Sequence, residues 1–255
     1  MKRRLALCAL AFLGGCEAES DAPDPDLHAD AEPAVVETWI PDEHECEQCH
    51  DEVAEQWARS RHHAAFTNPD FARSYAREPL DFCRDCHAPA LPRMAATDAE
   101  QLGVGCIDCH FDGQTLLAAG SPSQTSSAPH ALRYTAEFGT RSCARCHEFD
   151  FPEQSWRHGS MMQTTMREHQ ASPHADRSCA TCHMPSADHA FGSTRDDEAM
   201  RRAVSITARR DGDALVLTLT PIGVGHAFPT GDLFRRLELH AELVSRDGET
   251  LASTT

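Results

Sequence analysis

The chain has 255 residues, and its 23 basic and 40 acidic residues give a net charge of −17. A surface this acidic excludes nucleic acid as a partner and favours partners that are basic or carry a metal. Aromatic residues make up only 6% of the chain, so its own side chains supply little material for a large apolar core.

The first 15 residues predict an export signal. Residues 2–4 are basic, and the apolar run at 5–13 is too short to span a bilayer. Residues 13–16 (Leu-Gly-Gly-Cys) resemble the lipobox of bacterial lipoproteins, which implies that Cys16 is acylated and becomes the new N-terminus. The alternative is an ordinary signal peptide in which Cys16 is incidental. Because Glu17 rather than Asp follows, the resemblance favours the outer membrane; we expect an exported protein, lipid-anchored at the periplasmic face or the outer membrane.

Residues 16–38 predict an acidic tether. They are rich in Ala, Asp, Glu and Pro and have no hydrophobic periodicity, which is typical of a flexible linker. Removal of residues 1–15 leaves 20 basic and 40 acidic residues, a net charge of −20. A lipid anchor followed by this tether would let the rest of the chain stand off the membrane.

Five copies of the pattern Cys-x-x-Cys-His lie between residues 39 and 195, and this is the attachment pattern of c-type haem. The two thiols form thioethers with one porphyrin, and the adjacent imidazole becomes the proximal ligand of its iron. Zinc sites and disulfides are the alternatives, but five copies, each followed by His, favour five covalently bound haems c. The predicted attachment residues are Cys46, Cys49, Cys83, Cys86, Cys106, Cys109, Cys143, Cys146, Cys179 and Cys182, and the proximal ligands are His50, His87, His110, His147 and His183.

The motifs are dense along the chain. Their first cysteines are 37, 23, 37 and 36 residues apart, so the porphyrins must supply much of the buried apolar surface, and we expect the haem-free chain to be largely unfolded. Residues 52–66 and 155–169 have the apolar spacing of helices, whereas residues 111–129 have the composition of a loop.

Eleven histidines remain for the sixth coordination position of the irons. His62 and His63 follow His50 by 12 and 13 residues, about 18 to 20 Å along a straight helix, so they would serve a neighbouring haem. The surplus favours bis-His iron, although each histidine has a surface role as its alternative. Further candidates are His130, His158, His169, His174 and His189, and Met161, Met162 and Met166 offer a thioether instead, with packing as their alternative.

Several runs carry a more specific signal. They are Trp57-x-x-Ser60-x-His62, Met162-Gln163-x-Thr165, Cys182-His183-Met184-Pro185, His189-Ala190-Phe191-Gly192 and Gly225-His226-Ala227-Phe228-Pro229-Thr230-Gly231. Together they resemble a multihaem cytochrome family that includes the tetrahaem cytochrome which accepts electrons from hydroxylamine oxidoreductase. The resemblance covers residues 39–255. It implies closely stacked haems in parallel and perpendicular pairs, mostly bis-His iron and electron transfer.

By this resemblance the distal ligands are His62, His130, His189 and His226, while His174, His158 and His44 compete for the fifth position. The chain departs from two related enzymes. It has no Cys-x-x-Cys-Lys motif, so the lysine-ligated haem of pentahaem nitrite reductases is not expected. Tyr75 and Tyr134 are its only tyrosines, and neither is placed for the crosslink of hydroxylamine oxidoreductase.

Residues 196–255 predict strands. Residues 203–209 and 214–220 are joined by Asp211-Gly212, a hairpin signal, and residues 233–245 and 251–254 predict a third and a fourth strand. Four strands are few for a closed β-sandwich, so we expect a sheet that is truncated or completed by a partner. His226 would project from its loop toward the haems, whereas His240 would be structural.

The expected fold is therefore a mostly α-helical and irregular multihaem cytochrome c domain (39–195) built around stacked haems, followed by a small β-sandwich region (196–255). The expected function is electron transfer by a lipid-anchored pentahaem cytochrome in respiratory or extracytoplasmic redox chemistry, without catalytic residues. Its partners would be redox proteins with basic or haem-bearing docking surfaces. One alternative is an oxidoreductase acting on a small nitrogen or sulfur species at one open haem. The other is a haem-bearing subunit of a larger membrane complex.

Overall fold

The computed structural model describes residues 41–153, 155–192, 197–212, 214–231, 235–238 and 240–254. All of them belong to one unit, Trp39–Thr255. The predicted signal peptide, Cys16 and the tether lie outside the described residues. No helix in the described part of the chain is long and apolar enough to cross a membrane.

Short helices carry the haem motifs. The described helices are α1 (Glu43–Glu47), α2 (Asp51–Ala58), α3 (Pro69–Arg77), α4 (Asp81–His87), α5 (Ala96–Leu102), α6 (Cys106–His110), α7 (Phe138–His147), α8 (Thr165–Gln170), α9 (Cys179–His183) and α10 (Asp197–Ala203). Four of them end at a motif histidine: α4, α6, α7 and α9. Because residues i and i+3 share a helix face, both thiols of each of these motifs lie on one side of their helix.

The strands form small, separate sheets. Those of the described residues are β1 (Leu116–Ala119), β2 (Leu132–Thr135), β3 (Glu148–Asp150), β4 (Met161–Thr164), β5 (Val204–Asp211), β6 (Ala214–Pro221), β7 (Ala241–Val244) and β8 (Thr250–Thr254). They pair two by two in chain order, β1 with β2 in parallel and the other three pairs antiparallel. Two-stranded sheets of this size cover little apolar surface, so the interior that they enclose is small.

Two of the expected helices are corrected. The helix expected over residues 155–169 is wrong in its first part, because residues 161–164 form strand β4, with Gln163 opposite Phe149 of β3. The helix expected over residues 52–66 ends at Ala58. Beyond it, the Ser60 hydroxyl accepts the backbone N–H of His63, and the His62 carbonyl accepts the N–H of Val104. These bonds replace the helical ladder with turns.

Strand β1 lies inside the segment that was expected to be a loop. In the C-terminal region the predicted hairpin is present as β5 and β6, with Gly212 at a φ of 62° in the turn. Of the third expected strand, residues 241–244 form β7, and the fourth corresponds to β8. Because β5–β6 and β7–β8 are separate two-stranded sheets, the β-sandwich stays a prediction.

The apolar cluster of the described residues is built from small side chains. Ala88, Ala90 and Ala99 are fully buried, and the partly buried Phe66, Leu91, Met94 and Leu102 pack around them. Among these described residues, no large side chain is fully buried. In the described part of the chain, the polypeptide alone therefore buries little hydrophobic surface.

Candidate functional site

Four of the five motif histidines have Nδ1 within hydrogen-bond distance of a partner. A histidine that binds a metal through Nε2 ordinarily donates its Nδ1–H to a carbonyl or side-chain oxygen, which fixes the tautomer. The three histidines with a carbonyl partner, His87, His110 and His183, therefore have Nε2 free to face an iron. His147 differs, because the Gln163 amide nitrogen beside its Nδ1 is a donor. The partners are the carbonyls of Ala65 for His87 (2.7 Å), Leu117 for His110 (2.8 Å) and Gly192 for His183 (3.4 Å), and the Gln163 side-chain amide for His147 (3.0 Å).

Three motif histidines lie opposite a second histidine at a common spacing. A metal–imidazole bond is about 2 Å long and a ring centre lies about 1 Å behind its bonding nitrogen, so two imidazoles on one iron have centres roughly 6 Å apart. The ring centroids are 6.4 Å apart in His62–His147, 6.2 Å in His110–His189 and 6.1 Å in His183–His226. The residues present thus fit haem iron at three of the five motifs.

The relative orientation of the paired rings differs between the three pairs. The imidazole planes of His62 and His147 are inclined by 81°, which is nearly perpendicular. In the other two pairs the planes are inclined by only 23° and 11°. Bonds from two of the rings contribute to these orientations, because Nδ1 of His189 lies 2.8 Å from the Ala187 carbonyl and Nδ1 of His226 lies 2.9 Å from the Ala227 carbonyl.

Burial keeps three of the six paired rings uncharged. It lowers the pKa of His62 to about 4, with further contributions from the neighbouring His147 and His183. Burial likewise lowers the pKa of His110 and of His147. A neutral imidazole offers the lone pair that a metal requires, so these rings are in the ligating form at neutral pH.

The other predicted ligands occupy different surroundings. His130 is half-buried, and its Nδ1 is a buried polar atom without a hydrogen-bond partner among the described residues. Such an atom fits a bond to a group that the polypeptide does not supply. His174 packs through its Cβ against Gly225, beside His226. His158 and His44 are exposed, and no ring pair joins either of them to a motif histidine in the described part of the chain.

The remaining two motif histidines are not in such a pair. The ring of His87 is stacked on Phe71, with 3.6 Å between centroids and 7° between planes. His50 takes part in no His–His ring pair among the described residues, although it lies near enough to His110 to affect its pKa. The structure thus brings His62, His189 and His226 to motif histidines and does not do so for His130 or His174.

Thiols of different motifs lie side by side. Three pairs of thiols are close enough to shift each other's pKa: Cys46 with Cys106, Cys86 with Cys146 and Cys143 with Cys179. None of the ten motif cysteines forms a disulfide. Within the described residues, no three His, Cys, Asp or Glu side chains are grouped as in a metal site. The first motif therefore adjoins the third, and the fourth adjoins both the second and the fifth.

Two bonds join the third motif to the fourth. The Arg145 guanidinium donates to the Asp108 carbonyl at 3.1 Å, and the Ser142 hydroxyl donates to the Cys109 carbonyl at 3.2 Å. Both donors belong to α7 and both acceptors to α6. The first motif therefore adjoins the third, and the third adjoins the fourth. The fourth motif also adjoins the second and the fifth.

A buried carboxylate joins the first motif to the third. Glu43, in α1, is 3% exposed and accepts the backbone N–H of Cys106 at 2.8 Å and that of Ile107 at 3.4 Å. It thereby caps the N-terminus of α6 from another element. Burial, followed by the charge of Asp108, raises the pKa of Glu43 despite the bonds from the amides.

Asp108 fixes the same helix from within the motif. Its side chain is 4% exposed, accepts the Gly105 N–H at 2.7 Å and forms an ion pair with Arg93. A Cβ on Gly105 would lie 2.5 Å from a carboxylate oxygen of Glu43, so a side chain at this position would displace that carboxylate. The haem-attachment turn is therefore held by two carboxylates and a close backbone approach.

A hydrogen-bond network extends from His147 to the loop that carries His226. The Gln163 amide lies 3.0 Å from His147 Nδ1 and 3.1 Å from the Thr165 hydroxyl, which in turn lies 2.8 Å from the Thr230 hydroxyl. Thr230 donates to the carboxylate of Glu168. Residues of α8 and β4 thus contact both the motif histidine His147 and the loop that carries His226.

Sequence reasoning missed Glu43 and Glu168 as supports of the site. No motif marks either residue, and each acts on a segment about 60 residues away in the sequence. Gln163, Thr165 and Thr230 were part of the runs that carry the family resemblance, but their role as a connected network could not be read from the sequence.

Comparison with known proteins gives one match. The family described as "Cytochrome c554 and c-prime" matches residues 45–111, which hold the first three motifs and His62. No significant match was found among curated proteins or among solved structures. The relation to the partner of hydroxylamine oxidoreductase stays a resemblance. The match to residues 45–111 supports a multihaem c-type cytochrome family for this chain, and with it covalently bound haem c and electron transfer.

Proposed function

We propose that this chain is a pentahaem electron carrier, with one haem c attached at each of its five motifs. The observation that carries the proposal is the set of three His–His ring pairs with centroids 6.1 to 6.4 Å apart. An iron held between two imidazoles has no open position for a substrate, so it exchanges electrons without binding one. Bound haem iron supplies one-electron redox chemistry, and the residues of the chain attach it, ligate it and set its surroundings.

The contacts between motifs support an electron path that does not follow the sequence. The first motif adjoins the third through Glu43, and the third adjoins the fourth through Arg145. Thiols of the fourth motif meet those of the second and the fifth. Electrons would therefore pass through the fourth haem to reach either the second or the fifth.

The proposal includes export, a lipid anchor at Cys16 and a position at the periplasmic face or the outer membrane. It rests on the signal-like residues 1–15 and on the export that is typical of c-type cytochromes. The acidic composition of the chain favours redox partners with basic or haem-bearing docking surfaces. Metabolic labelling with a radioactive fatty acid tests the anchor, because Cys16→Ser would abolish both the label and membrane retention, whereas unchanged fractionation would contradict it.

Electron paramagnetic resonance of the oxidised, haem-quantified protein tests the carrier function. The spectrum is recorded for the protein without added ligand and again after addition of nitrite, hydroxylamine or cyanide. Five haems per chain with only low-spin signals that none of these ligands alters are the expected result. A high-spin signal that one of them abolishes would show an open iron and overturn the carrier proposal in favour of an enzyme.

The rival function is an oxidoreductase that acts on a small nitrogen or sulfur species at one open haem. It is favoured by the first motif, since His50 is in no His–His ring pair among the described residues. His130, whose buried Nδ1 has no hydrogen-bond partner among the described residues, is the predicted ligand left without a motif. Turnover of nitrite or hydroxylamine that increases in a His130→Ala variant would favour this rival.

A subunit of a larger membrane complex is the third function. The hairpin of β5 and β6 favours it, because the large apolar side chains of Ile206, Leu215 and Leu219 are exposed on it. Purification from mild detergent would distinguish this function, since a stoichiometric partner that survives high salt is expected of a subunit and not of a diffusing carrier.

A further inference from the structure

The loop at residues 225–231 carries His226 but has no regular secondary structure. Its position nevertheless determines whether the His226 ring faces His183, as it does at 6.1 Å and 11°. In the described residues its hydrogen bonds to the rest of the chain converge on helix α8, through Glu168 and Thr165.

Glu168 contacts the loop on both sides of the Phe228-Pro229 pair. One carboxylate oxygen, Oε2, accepts the backbone N–H of Ala227 at 3.1 Å and the hydroxyl of Thr230 at 2.5 Å. The other, Oε1, accepts the hydroxyl of Thr164 at 2.8 Å. A carboxylate accepts several hydrogen bonds at once, and bonds to an ionised acceptor are stronger than neutral ones. One side chain thus fixes the residue after His226 and the end of its loop.

The element that carries Glu168 is itself anchored. The first turn of α8 donates the N–H groups of Met166 and Arg167 to the Glu148 carboxylate, at 3.0 and 3.4 Å. Arg167 also pairs with Glu148, with Nε 2.7 Å from Oε1. Because Glu148 directly follows the ligand His147, α8 is a fixed reference point beside the fourth motif.

The start of the loop is packed closely against the same region. A Cβ on Gly225 would lie 3.2 Å from Cδ2 of His169 and 3.4 Å from Cβ of His174. This contact limits how the chain enters the loop, whereas the bonds to Glu168 limit how it leaves. His226 lies between the two constraints.

We propose that Glu168 is a positioning residue for His226, and that its carboxylate holds the loop so that this ring can occupy the sixth position of the iron bound by His183. The inference rests on the proposed function, in which His226 is a ligand. Glu168 contacts neither the iron nor His226 itself, and acts through Ala227 and Thr230.

Four variants of the haem-loaded chain test the inference. Glu168→Ala removes both bonds to the loop, and Glu168→Gln keeps a neutral acceptor at the same place. Thr164→Val is the matched control, because it removes the bond to Oε1 and leaves the loop contacts intact. His226→Ala is the reference for complete loss of the ligand. The readouts are low-temperature electron paramagnetic resonance and hydrogen exchange of residues 225–231.

The expected result is graded. His226→Ala converts one iron per chain to high spin, and Glu168→Ala gives the same high-spin signal at partial intensity, reversed by added imidazole. Exchange in the loop of Glu168→Ala rises roughly tenfold, as the loss of charge-assisted bonds implies. Glu168→Gln restores most of the low-spin signal, and Thr164→Val matches the unmodified chain.

Two outcomes would overturn the inference. Glu168→Ala that stays fully low-spin with unchanged loop exchange would show that the loop is held without it. Thr164→Val with the same effect as Glu168→Ala would point to general loosening of α8. Failure of the proposed function gives a different result, because His226→Ala would then leave every iron low-spin. Hydrogen exchange of the loop in Glu168→Ala would still show whether Glu168 anchors it.

Discussion

The rings of His62 and His147 face each other across 6.4 Å with their planes nearly perpendicular, although 85 residues separate them in the sequence. The pairs His110–His189 and His183–His226 have almost the same spacing with nearly parallel planes. The three pairs thus differ in the one geometric property to which the magnetism of ferric bis-His haem is most sensitive.

We expect the oxidised protein to show two kinds of low-spin signal. Perpendicular imidazole planes leave the two iron π orbitals nearly equal in energy and give a highly anisotropic signal, whereas parallel planes give a rhombic one. His62→Ala should remove the anisotropic signal and produce one high-spin iron. His63→Ala is the matched control, because His63 is the neighbour in sequence and its Nδ1 lies 3.2 Å from the Leu102 carbonyl. Loss of a rhombic signal in His62→Ala would contradict the pairing with His147.

Removal of the Glu43 carboxylate should loosen the third haem motif. Glu43→Ala leaves the amides of Cys106 and Ile107 without their acceptor in a buried place, which costs about 1 to 3 kcal/mol. The apparent midpoint of guanidinium unfolding of the haem-loaded chain measures this loss. Glu45→Ala, an exposed residue of the same helix, should leave the midpoint unchanged, and an equal effect of both variants would contradict the capping role.

The same residue should make stability depend on pH. Burial and the charge of Asp108 raise the pKa of Glu43 above its ordinary value of 4.5, so the folded state binds this proton more tightly than the unfolded state does. Its contribution to the free energy of unfolding is complete below pH 4.5 and is lost as pH rises through the folded pKa. Glu43→Gln has no such contribution. The free energy of unfolding of the unmodified chain, minus that of Glu43→Gln, should therefore fall as pH increases. A difference that rises with pH would show that folding lowers the pKa of Glu43.

Loss of Arg93 should destabilise the chain more than loss of a comparable surface arginine. Arg93 pairs with Asp108, whose side chain is 4% exposed, and removal of one partner of a buried pair costs about 3 kcal/mol. Arg202 pairs with Glu198 at the surface, where such a pair contributes at most about 0.5 kcal/mol. The denaturant midpoints of Arg93→Ala and Arg202→Ala compare the contributions of the two ion pairs. Equal midpoints would show that the ion pair of Arg93 with Asp108 contributes no more than the surface pair.

A change at Gln163 should shift the potential of one haem. The amide nitrogen of Gln163, a donor, lies 3.0 Å from His147 Nδ1. A carboxylate in its place would accept the Nδ1–H and make the ring a more basic ligand that favours ferric iron. Gln163→Glu should therefore lower one midpoint potential in a redox titration, whereas Gln163→Leu, which offers no acceptor, should not lower it. Gln114→Glu adds the same charge at an exposed position. It should shift each haem potential by less than Gln163→Glu shifts that of the fourth haem. A uniform shift of all five would indicate only a general charge effect.

The motifs could be predicted from the sequence because haem attachment is a local requirement. Two thiols three positions apart and an adjacent imidazole must lie in one turn, and helices α6 and α9 consist of little else. The hairpin of β5 and β6 could be predicted for a similar reason, since Asp211-Gly212 determines the turn within a few residues.

The pairing of distal histidines could not be derived in this way. His62, His189 and His226 were marked by resemblance, but nothing near them in the sequence states which motif they face. The answer depends on contacts between distant segments, such as the bond from Val104 to the His62 carbonyl that ends α2 early. The same holds for β4, where pairing with β3 outweighed the apolar spacing that had predicted a helix.

The small apolar cluster around Ala88, Ala90 and Ala99 has a consequence for biogenesis. So little hydrophobic burial cannot offset the conformational entropy of ordering a chain of this length, so attachment enzymes would meet an extended polypeptide rather than a folded one. Folding would then wait on the supply of porphyrin, and each attachment would remove one more unfolded stretch from the reach of proteases. Cells starved of haem should degrade this protein and accumulate no soluble precursor.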